Sequence, residues 1–269
     1  MQLDGIVTIP ARALAVRIGG IGLRLEAAPG ERVAVSGALR RFVVDDPTPE
    51  TTLVARRGGP LAEPRAAPLF DSGAAWRLYR TRHELIFTLR ARRSGRGRDG
   101  ARDAYCLAAF DPDLARGVVT FDARFVAEGA PLEPLAYPLD ELLVIHLLAR
   151  GRGLEVHGCG VVDRDGRAYL CVGPSGAGKS TIARLWRRAG AQVLSDDRVI
   201  LRRHGDRFWI YGTPWHGEMR AASPAGAPLA RILHLARGAR HEIVPLTPAE
   251  AAARLLACSF PPFHDRDGM

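Results

Sequence analysis

The sequence is almost devoid of lysine. Among 38 basic residues a single one, Lys179, is lysine, and the others are arginine. The chain is also rich in alanine and glycine, which indicates a compositional bias that replaces lysine with arginine throughout. A lysine that persists under such a bias is expected where a compact, flexible ammonium group is required, because the planar guanidinium is a poor substitute there. Lys179 is therefore the first candidate functional residue.

Cysteine pairs and long apolar stretches are also missing. The four cysteines are scattered without a CxxC pair, which argues against a zinc site and fits reduced thiols in a cytosolic protein. No apolar run approaches the roughly 18 residues of a membrane-spanning helix. The start, MQLDGIVTIPAR, lacks the basic residues and the long apolar stretch of a secretory signal. We therefore expect a cytoplasmic protein with no membrane partner.

The charge balance is strongly basic. A formal net charge of +9 raises the question of nucleic-acid binding. The densest basic segment, residues 91–103 (ARRSGRGRDGARD), is interrupted by glycine and has no aromatic side chain on which a base could stack. We interpret this segment as a solvated loop and expect no nucleic-acid partner.

Alternating apolar and polar residues dominate the first part of the chain. Strands are predicted at 13–18, 21–25, 76–79, 85–89, 104–110 and 118–125, the first two joined by a turn at Gly19 and Gly20. Proline and glycine punctuate the stretch from Pro47 to Pro68, which is predicted to be a loop. A chain of 269 residues can form two modest domains. The pattern predicts a β-rich N-terminal domain at 1–130 and a second domain at 131–269.

Strands and helices are mixed in the second domain, which predicts an α/β fold. A helix is expected between Pro138 and Gly151. Two apolar strands, at 158–162 and 168–173, flank a tight-turn sequence, so the second is the return arm of a hairpin. The helix that follows at 181–189 is predicted to bury Ile182, Leu185, Trp186 and Ala189. A further hairpin at 199–211 and a helix begun by the capping box at 247–250 complete the pattern.

The return arm leads into GPSGAGKS (Gly173–Ser180), which matches G-x-x-x-x-G-K-[ST] in the strand-to-helix context that this motif requires. In such a phosphate loop, backbone N–H groups surround the phosphates and the helix N-terminus adds a favourable dipole. Lys179 is predicted to neutralise the β- and γ-phosphates, and Ser180 to ligate Mg²⁺. ATP and Mg²⁺ are the expected cofactors, with pyrophosphate or another nucleotide open as the donor. The predicted nucleotide-binding residues are Gly173, Pro174, Ser175, Gly176, Ala177, Gly178, Lys179, Ser180 and Thr181.

Two adjacent carboxylates, Asp196 and Asp197, follow the phosphate-loop helix at the end of a predicted strand. Side chains alternate across a strand, so the two carboxylates are expected to point to opposite sides and to have different roles. One carboxylate can accept the proton of an attacking hydroxyl, and the other can hold Mg²⁺ or its water shell. The residues alone leave open which of the two has which role. His157, just before the hairpin, is a further candidate.

The order of these elements resembles a known family. From His157 to Leu201 the chain has a His-Gly pair, a short hairpin, GPSGAGKST and VLSDDRVIL. This order is similar to the catalytic core of the HPr serine kinase/phosphorylase family, a relative of the phosphoenolpyruvate carboxykinase fold. The resemblance covers roughly Pro138 to Ser259. It implies a mixed-sheet kinase core, with Asp197 as general base and His157 in contact with phosphate, which leaves Asp196 as the predicted metal ligand.

A broader set of HPr-kinase-like proteins, including the kinases that modify lasso-peptide precursors, is similar to the N-terminal part and to WIYGTPWHGE (Trp209–Glu218). The family's magnesium-binding glutamate lies in an Arg-Gly-Leu-Gly-type segment that is absent here, and Glu218 is predicted in its place. The segment that would engage HPr has no match. The resemblance also implies homo-oligomers, and a truncated C-terminus stays open.

The sequence thus predicts an ATP- and Mg²⁺-dependent kinase that phosphorylates a hydroxyl, most simply a serine, of a peptide or small protein such as a lasso-peptide-type precursor. A small-molecule kinase on the same fold is one alternative. A nucleotide-sensing module without kinase activity is another. The acceptor could lie against the aromatic residues Trp209, Tyr211, Trp215 and His216.

Overall fold

The structure is a computed structural model that describes residues 10–45, 48–73, 75–92, 102–238, 240, 242–262, 264, 265 and 268. Most of the predicted basic loop at 91–103 lies outside these residues. The chain divides into two compact units, formed mainly by the residues up to Leu142 and by those from Leu143 onwards. Each unit has its own mixed β-sheet, and strands dominate both.

The first unit is an eight-stranded sheet in the order β1-β2-β3-β8-β7-β6-β5-β4. Its strands are β1 Ala13–Ile18, β2 Ile21–Ala27, β3 Thr51–Gly58, β4 Phe70–Asp71, β5 Trp76–Arg80, β6 Leu85–Arg92, β7 Arg102–Phe110 and β8 Arg116–Asp122. A short 3-10 helix, Gly37–Phe42, lies between β2 and β3. β3 pairs in parallel with β2 and β8, whereas β4 to β8 form an antiparallel series. The predicted β-rich character of this part is confirmed.

β3 shows where one prediction was wrong. The stretch from Pro47 to Pro68 was expected to be a loop, yet Thr51–Gly58 is an interior strand of the sheet. Thr51, Leu53 and Ala55 are fully buried and alternate with more exposed residues. The described prolines of this stretch lie after the strand, so they interrupt none of its ladder hydrogen bonds.

The second unit has a six-stranded sheet in the order β10-β14-β13-β12-β9-β11, and β9 also pairs with β10. Its elements are α1 Leu139–Leu148 (which begins in the first unit), β9 Leu154–Val162, β10 Ala168–Val172, α2 Lys179–Arg188, β11 Gln192–Ser195, β12 Arg198–His204, β13 Arg207–Gly212, β14 Gly226–His234 and α3 Pro248–Leu256. β10 and β14 are parallel, and the other pairings are antiparallel. The predicted hairpin before Gly173 is confirmed by the β9–β10 pairing.

The long strand β9 connects the parts of this unit that carry the candidate residues. Its first half, from Leu154 to His157, pairs with β12. Its second half, from Gly158 to Val162, lies between β10 and β11. The end of β10 therefore leads into Gly173, while the junction of β11 and β12 carries Asp196 and Asp197 beside the middle of β9.

The helix α2 packs through only part of the predicted face, since Ile182 and Trp186 face the core as expected whereas Leu185 and Ala189 are exposed. Ala183 is fully buried, and Ile182 and Trp186 pack against the cluster formed by Cys159, Val161, Cys171 and Ala183. Leu185 is 56% exposed, contrary to the expectation. The helix begins at the buried Lys179, so the residue one turn later, Ala183, faces the sheet and Leu185 turns outward. The predicted capping box of α3, Thr247 with Glu250, is confirmed.

Neither α1, α2 nor α3 has the length and apolar character of a membrane span, and this holds for the described part of the chain only. The expected cytoplasmic location stays a prediction.

Candidate functional site

The phosphate loop connects β10 to α2 in a conformation that depends on glycine. Gly176 and Gly178 have φ values of 77° and 104°, in the left-handed region that side chains with a Cβ rarely adopt. Gly178 is the N-cap of α2, and no side chain caps this helix end. The backbone N–H groups of the first turn are therefore oriented toward the loop, where an anion can accept them.

Lys179 is folded back into the same loop. Its Nζ donates hydrogen bonds to the carbonyl oxygens of Gly173 at 2.8 Å and Pro174 at 3.1 Å. The residue is only 8% exposed. These two carbonyls hold the ammonium inside the loop, in the place where it can exchange its carbonyl partners for phosphate oxygens.

Asp197 lies in a network of cationic side chains. The Nδ1 atom of His157 lies 3.0 Å from its Oδ1, and Nη1 of Arg198 donates to its Oδ2 at 2.7 Å. His157 Nδ1 also lies 3.2 Å from the Asp197 carbonyl oxygen. With a proton on Nδ1, His157 donates to Asp197, and each carboxylate oxygen then has its own partner. The antiparallel pairing of His157 with Arg198 across β9 and β12 brings these groups together.

This network holds the pKa of Asp197 below its ordinary value. The largest cause is the hydrogen bond with His157, and the positive charges of Arg198 and Lys179 act in the same direction, whereas partial burial opposes them. Asp197 lies beside the phosphate loop, because the Gly158 N–H donates to the Asp197 carbonyl at 3.0 Å and Gly158 pairs with Val172, the residue before Gly173. The carboxylate is anionic at neutral pH, as a proton acceptor must be.

Asp196 points away from this network, as expected, but the two aspartates lie in the bend between β11 and β12 and not within a strand. Asp196 is 4% exposed and accepts backbone N–H groups from Gly217 at 3.1 Å, Met219 at 2.8 Å and Ala221 at 3.1 Å. These bonds fix the loop at residues 214–221, which we call the 214–221 loop. Asp196 thus shapes a loop beside the site, and its role as a Mg²⁺ ligand stays a prediction.

Glu218 is carried by that loop between two of the bonded residues. Its side chain is 86% exposed, and its Oε2 lies 3.9 Å from Nη2 of Arg184 on α2. The loop therefore reaches the helix that begins at the phosphate loop. Ser180 occupies the first turn of this helix. Among the described residues, no three His, Cys, Asp or Glu side chains converge as a metal site. A Mg²⁺ ion held by nucleotide phosphates needs only one or two protein ligands, which Ser180 and a nearby carboxylate can supply.

Two arginines at the site were not singled out from the sequence. Arg198 Nη1 donates to Asp197 Oδ2 and also lies 3.0 Å from His157 Nδ1. Arg237 follows β14 and donates from Nη2 to the Gly176 carbonyl at 3.1 Å. β14 runs parallel to β10, and Leu235 N donates to Val172 O, so residues after β14 reach the phosphate loop. The sequence alone does not indicate that an arginine after β14 lies at the phosphate loop, because this depends on the order of the strands in the sheet.

The four aromatic residues expected to line a groove do not form one cluster. Trp209 and Tyr211 stack on β13 with ring centroids 6.3 Å apart, and the Tyr211 hydroxyl lies 2.8 Å from His204 Nε2. Trp215 is buried in the 214–221 loop, and its carbonyl accepts from Ser195 Oγ. His216 is exposed. These four residues therefore do not form one surface that could serve as the acceptor groove.

No protein-family model matches this chain, and no curated protein matches it.

Proposed function

We propose that this protein is a phosphotransferase that binds MgATP at the phosphate loop and transfers the γ-phosphoryl group to a hydroxyl. The second unit is proposed to be a kinase core of the HPr kinase type. The support is a hairpin, a phosphate loop, a helix and an Asp-Asp-Arg segment in that order on one mixed sheet. The proposed acceptor is a serine of a peptide or small protein.

One observation carries the proposal. The Asp197 carboxylate is held by His157 and Arg198, and its backbone is hydrogen-bonded to Gly158, which pairs with Val172 directly before the loop that holds Lys179. A proton acceptor and a phosphate-binding ammonium thus share one site. A nucleotide-sensing module requires only the ammonium, whereas phosphoryl transfer to a hydroxyl requires both.

The residues present fit the nucleotide and its metal. The glycine-dependent loop and the uncapped start of α2 provide backbone N–H groups for phosphate oxygens. Mg²⁺ would neutralise charge on the β- and γ-phosphates, with Ser180 as its nearest protein ligand and Asp196 or Glu218 as candidates for its water shell. Lys179 would leave the carbonyls of Gly173 and Pro174 and bind phosphate oxygen.

Asp197 would orient the acceptor hydroxyl and take its proton. The hydroxyl oxygen bonds to the γ-phosphorus as the bond to the β,γ-bridging oxygen breaks, and ADP leaves. His157 and Arg198 keep the carboxylate anionic and fix its direction. The low pKa makes Asp197 a weak base, which suits a loose transition state in which the proton leaves late.

The experiment that tests this proposal uses γ-labelled ATP, Mg²⁺ and a size-fractionated extract of the source organism. Three variants accompany the wild type. Lys179→Ala removes the ammonium, Asp197→Asn removes the proton acceptor, and Asp206→Asn is a matched control in the exposed turn between β12 and β13. We expect label in one peptide or small protein with the wild type and Asp206→Asn, and none with the other two.

The other outcomes are equally informative. Label only in the small-molecule fraction would replace the peptide acceptor with a metabolite. Nucleotide binding without any labelled product would contradict the kinase and favour a nucleotide sensor. Normal labelling by Asp197→Asn would show that the proton acceptor is wrongly assigned.

A further inference from the structure

The segment that follows α3 runs back along β9, at the half of that strand that carries His157. The His157 N–H donates to the Cys258 carbonyl at 2.7 Å, and the Phe260 N–H donates to the Glu155 carbonyl at 3.0 Å. Val156 and Ser259 form an antiparallel bridge between these two bonds. Residues 258–260, which we call the return segment, therefore act as a short additional strand beside the site.

Phe260 in the return segment covers the guanidinium of Arg198. The Arg198 Cζ atom lies 4.4 Å from the ring centroid of Phe260. This distance is that of a close cation–π contact. The edges of the same guanidinium are engaged elsewhere, with Nη1 on Asp197 Oδ2 at 2.7 Å and Nε 3.5 Å from Glu155 Oε1.

Each of these contacts restricts a different motion of the Arg198 guanidinium. The two carboxylates fix its edges, because the guanidinium donates in a rigid planar fork. The ring fixes the plane and excludes water from one face, which strengthens the charge interactions at the edges. Glu155, whose side chain is fully buried, lies at the Nε edge of the guanidinium, and Asp197 lies at the Nη1 edge.

We propose that Phe260 is a positioning residue of the phosphoryl-transfer site, and that the return segment is a functional part of this site because its ring holds Arg198 in place on Asp197. The inference rests on the proposed function, since it assigns Asp197 the role of proton acceptor. Phe260 touches neither nucleotide nor acceptor in this scheme and acts through Arg198 alone.

The test begins with a measurement that needs no activity. The side-chain Nε–H of Arg198 gives a ¹⁵N resonance, which is assigned by its loss in Arg198→Lys. Phe260→Leu removes the aromatic face and keeps an apolar side chain, Phe260→Tyr restores the face, and Phe208→Leu is a control at an aromatic residue that is 55% exposed on β13. We expect ¹⁵N relaxation to show a more mobile Arg198 side chain in Phe260→Leu only.

The second measurement follows MgATP turnover with water as the acceptor. We expect Phe260→Leu to lower kcat by about threefold to tenfold, as for the loss of one cation–π contact, with the KM for ATP unchanged. Phe260→Tyr is expected to retain wild-type kcat. In an Arg198→Met background, Phe260→Leu should cause no further loss, because its effect passes through the arginine. Thermal denaturation of all variants identifies any that fail to fold.

The outcomes separate this inference from the proposed function. An unchanged Arg198 side chain in a folded Phe260→Leu variant would overturn the positioning role. So would an equal loss of kcat in the wild-type and Arg198→Met backgrounds. If the wild type does not hydrolyse MgATP, the labelling experiment above decides on the kinase, and the relaxation comparison alone decides whether Phe260 positions Arg198.

Discussion

Arg237 and Gly176 join two separate parts of the second unit, because the Arg237 guanidinium donates to the Gly176 carbonyl at the phosphate loop across 3.1 Å. The arginine itself is exposed. A cation tethered to the loop by a single neutral carbonyl can turn to an anionic phosphate at small cost, because charge-assisted hydrogen bonds are stronger than those to neutral acceptors. Arg237 is therefore suited to bind nucleotide phosphate beside Lys179.

We expect Arg237→Ala to weaken MgATP binding by about tenfold, the loss typical of one hydrogen bond to a charged group. The measurement is a titration of nucleotide affinity by calorimetry. Arg231→Ala is the matched control, since Arg231 is an exposed arginine on β14 in the same unit. If the two variants bind MgATP with equal affinity, Arg237 supports only the conformation of the loop and does not bind phosphate.

The two adjacent aspartates should respond differently to the same substitution. Asp196→Asn replaces one acceptor oxygen with a donor opposite backbone N–H groups, so we expect a loss of about 1 to 3 kcal/mol in the free energy of unfolding. Asp197→Asn removes a carboxylate that His157 and Arg198 hold at a lowered pKa, so we expect a smaller loss of stability, and phosphoryl transfer should be abolished. Chemical denaturation and a transfer assay on both variants check this contrast. A stable Asp196→Asn variant would contradict the structural role of that carboxylate.

The stability of the first unit should depend on Asp122 at acid pH. Its carboxylate accepts N–H groups from Arg124 and Leu61, and the Arg124 side chain is the largest cause that lowers its pKa to about 2. Because the folded pKa is below the unfolded value, the stabilisation is present above the unfolded pKa near 4 and is lost as pH falls toward 2. The free energy of unfolding of the wild type should therefore approach that of Asp122→Asn as pH falls across this range. Denaturant unfolding at several pH values measures it, and a constant difference between the two proteins would contradict the assignment.

Much of this fold could be predicted because turn residues mark the ends of its strands and because more and less buried residues alternate in some of them, as in β7. The hairpin at Gly19 and the strands from Trp76 onward are marked by turns. β3 was missed since the neighbouring prolines and glycines suggested a loop, although Thr51, Leu53 and Ala55 alternate correctly. The buried face of α2 was only partly predicted because its orientation is set by Lys179 in the phosphate loop, which the helical pattern alone does not include.

The residues of the candidate site were likewise only partly predictable from the sequence. The phosphate loop and the aspartates lie in consecutive motifs, so local sequence was enough to select them. Arg237 and Phe260 come from segments distant along the chain, and they reach the site through the β10–β14 pairing and the bridge of Val156 to Ser259. Pairings of this kind are long-range, and a single sequence contains no signal for them.

Gly217 is a position of close backbone approach between the 214–221 loop and Asp196. A Cβ atom at this residue would lie 2.8 Å from Asp196 Oδ2, and the Gly217 N–H donates to Oδ1 of the same carboxylate at 3.1 Å. We expect Gly217→Ala to displace the loop and Glu218 with it, lowering the free energy of unfolding by about 1 to 3 kcal/mol, as for other overpacked sites. Thermal denaturation and a transfer assay measure the two effects.

The matched control for that substitution is Gly59→Ala. A Cβ atom there would have no other atom within 4 Å, and this glycine has no positive φ, so stability and transfer should both be retained. If the Gly217→Ala variant keeps wild-type stability but loses phosphoryl transfer, the loop contributes directly to the reaction, most simply through Glu218. If stability falls and transfer by the folded fraction is normal, the loop only supports the fold, and Glu218 ceases to be a candidate for the metal's water shell.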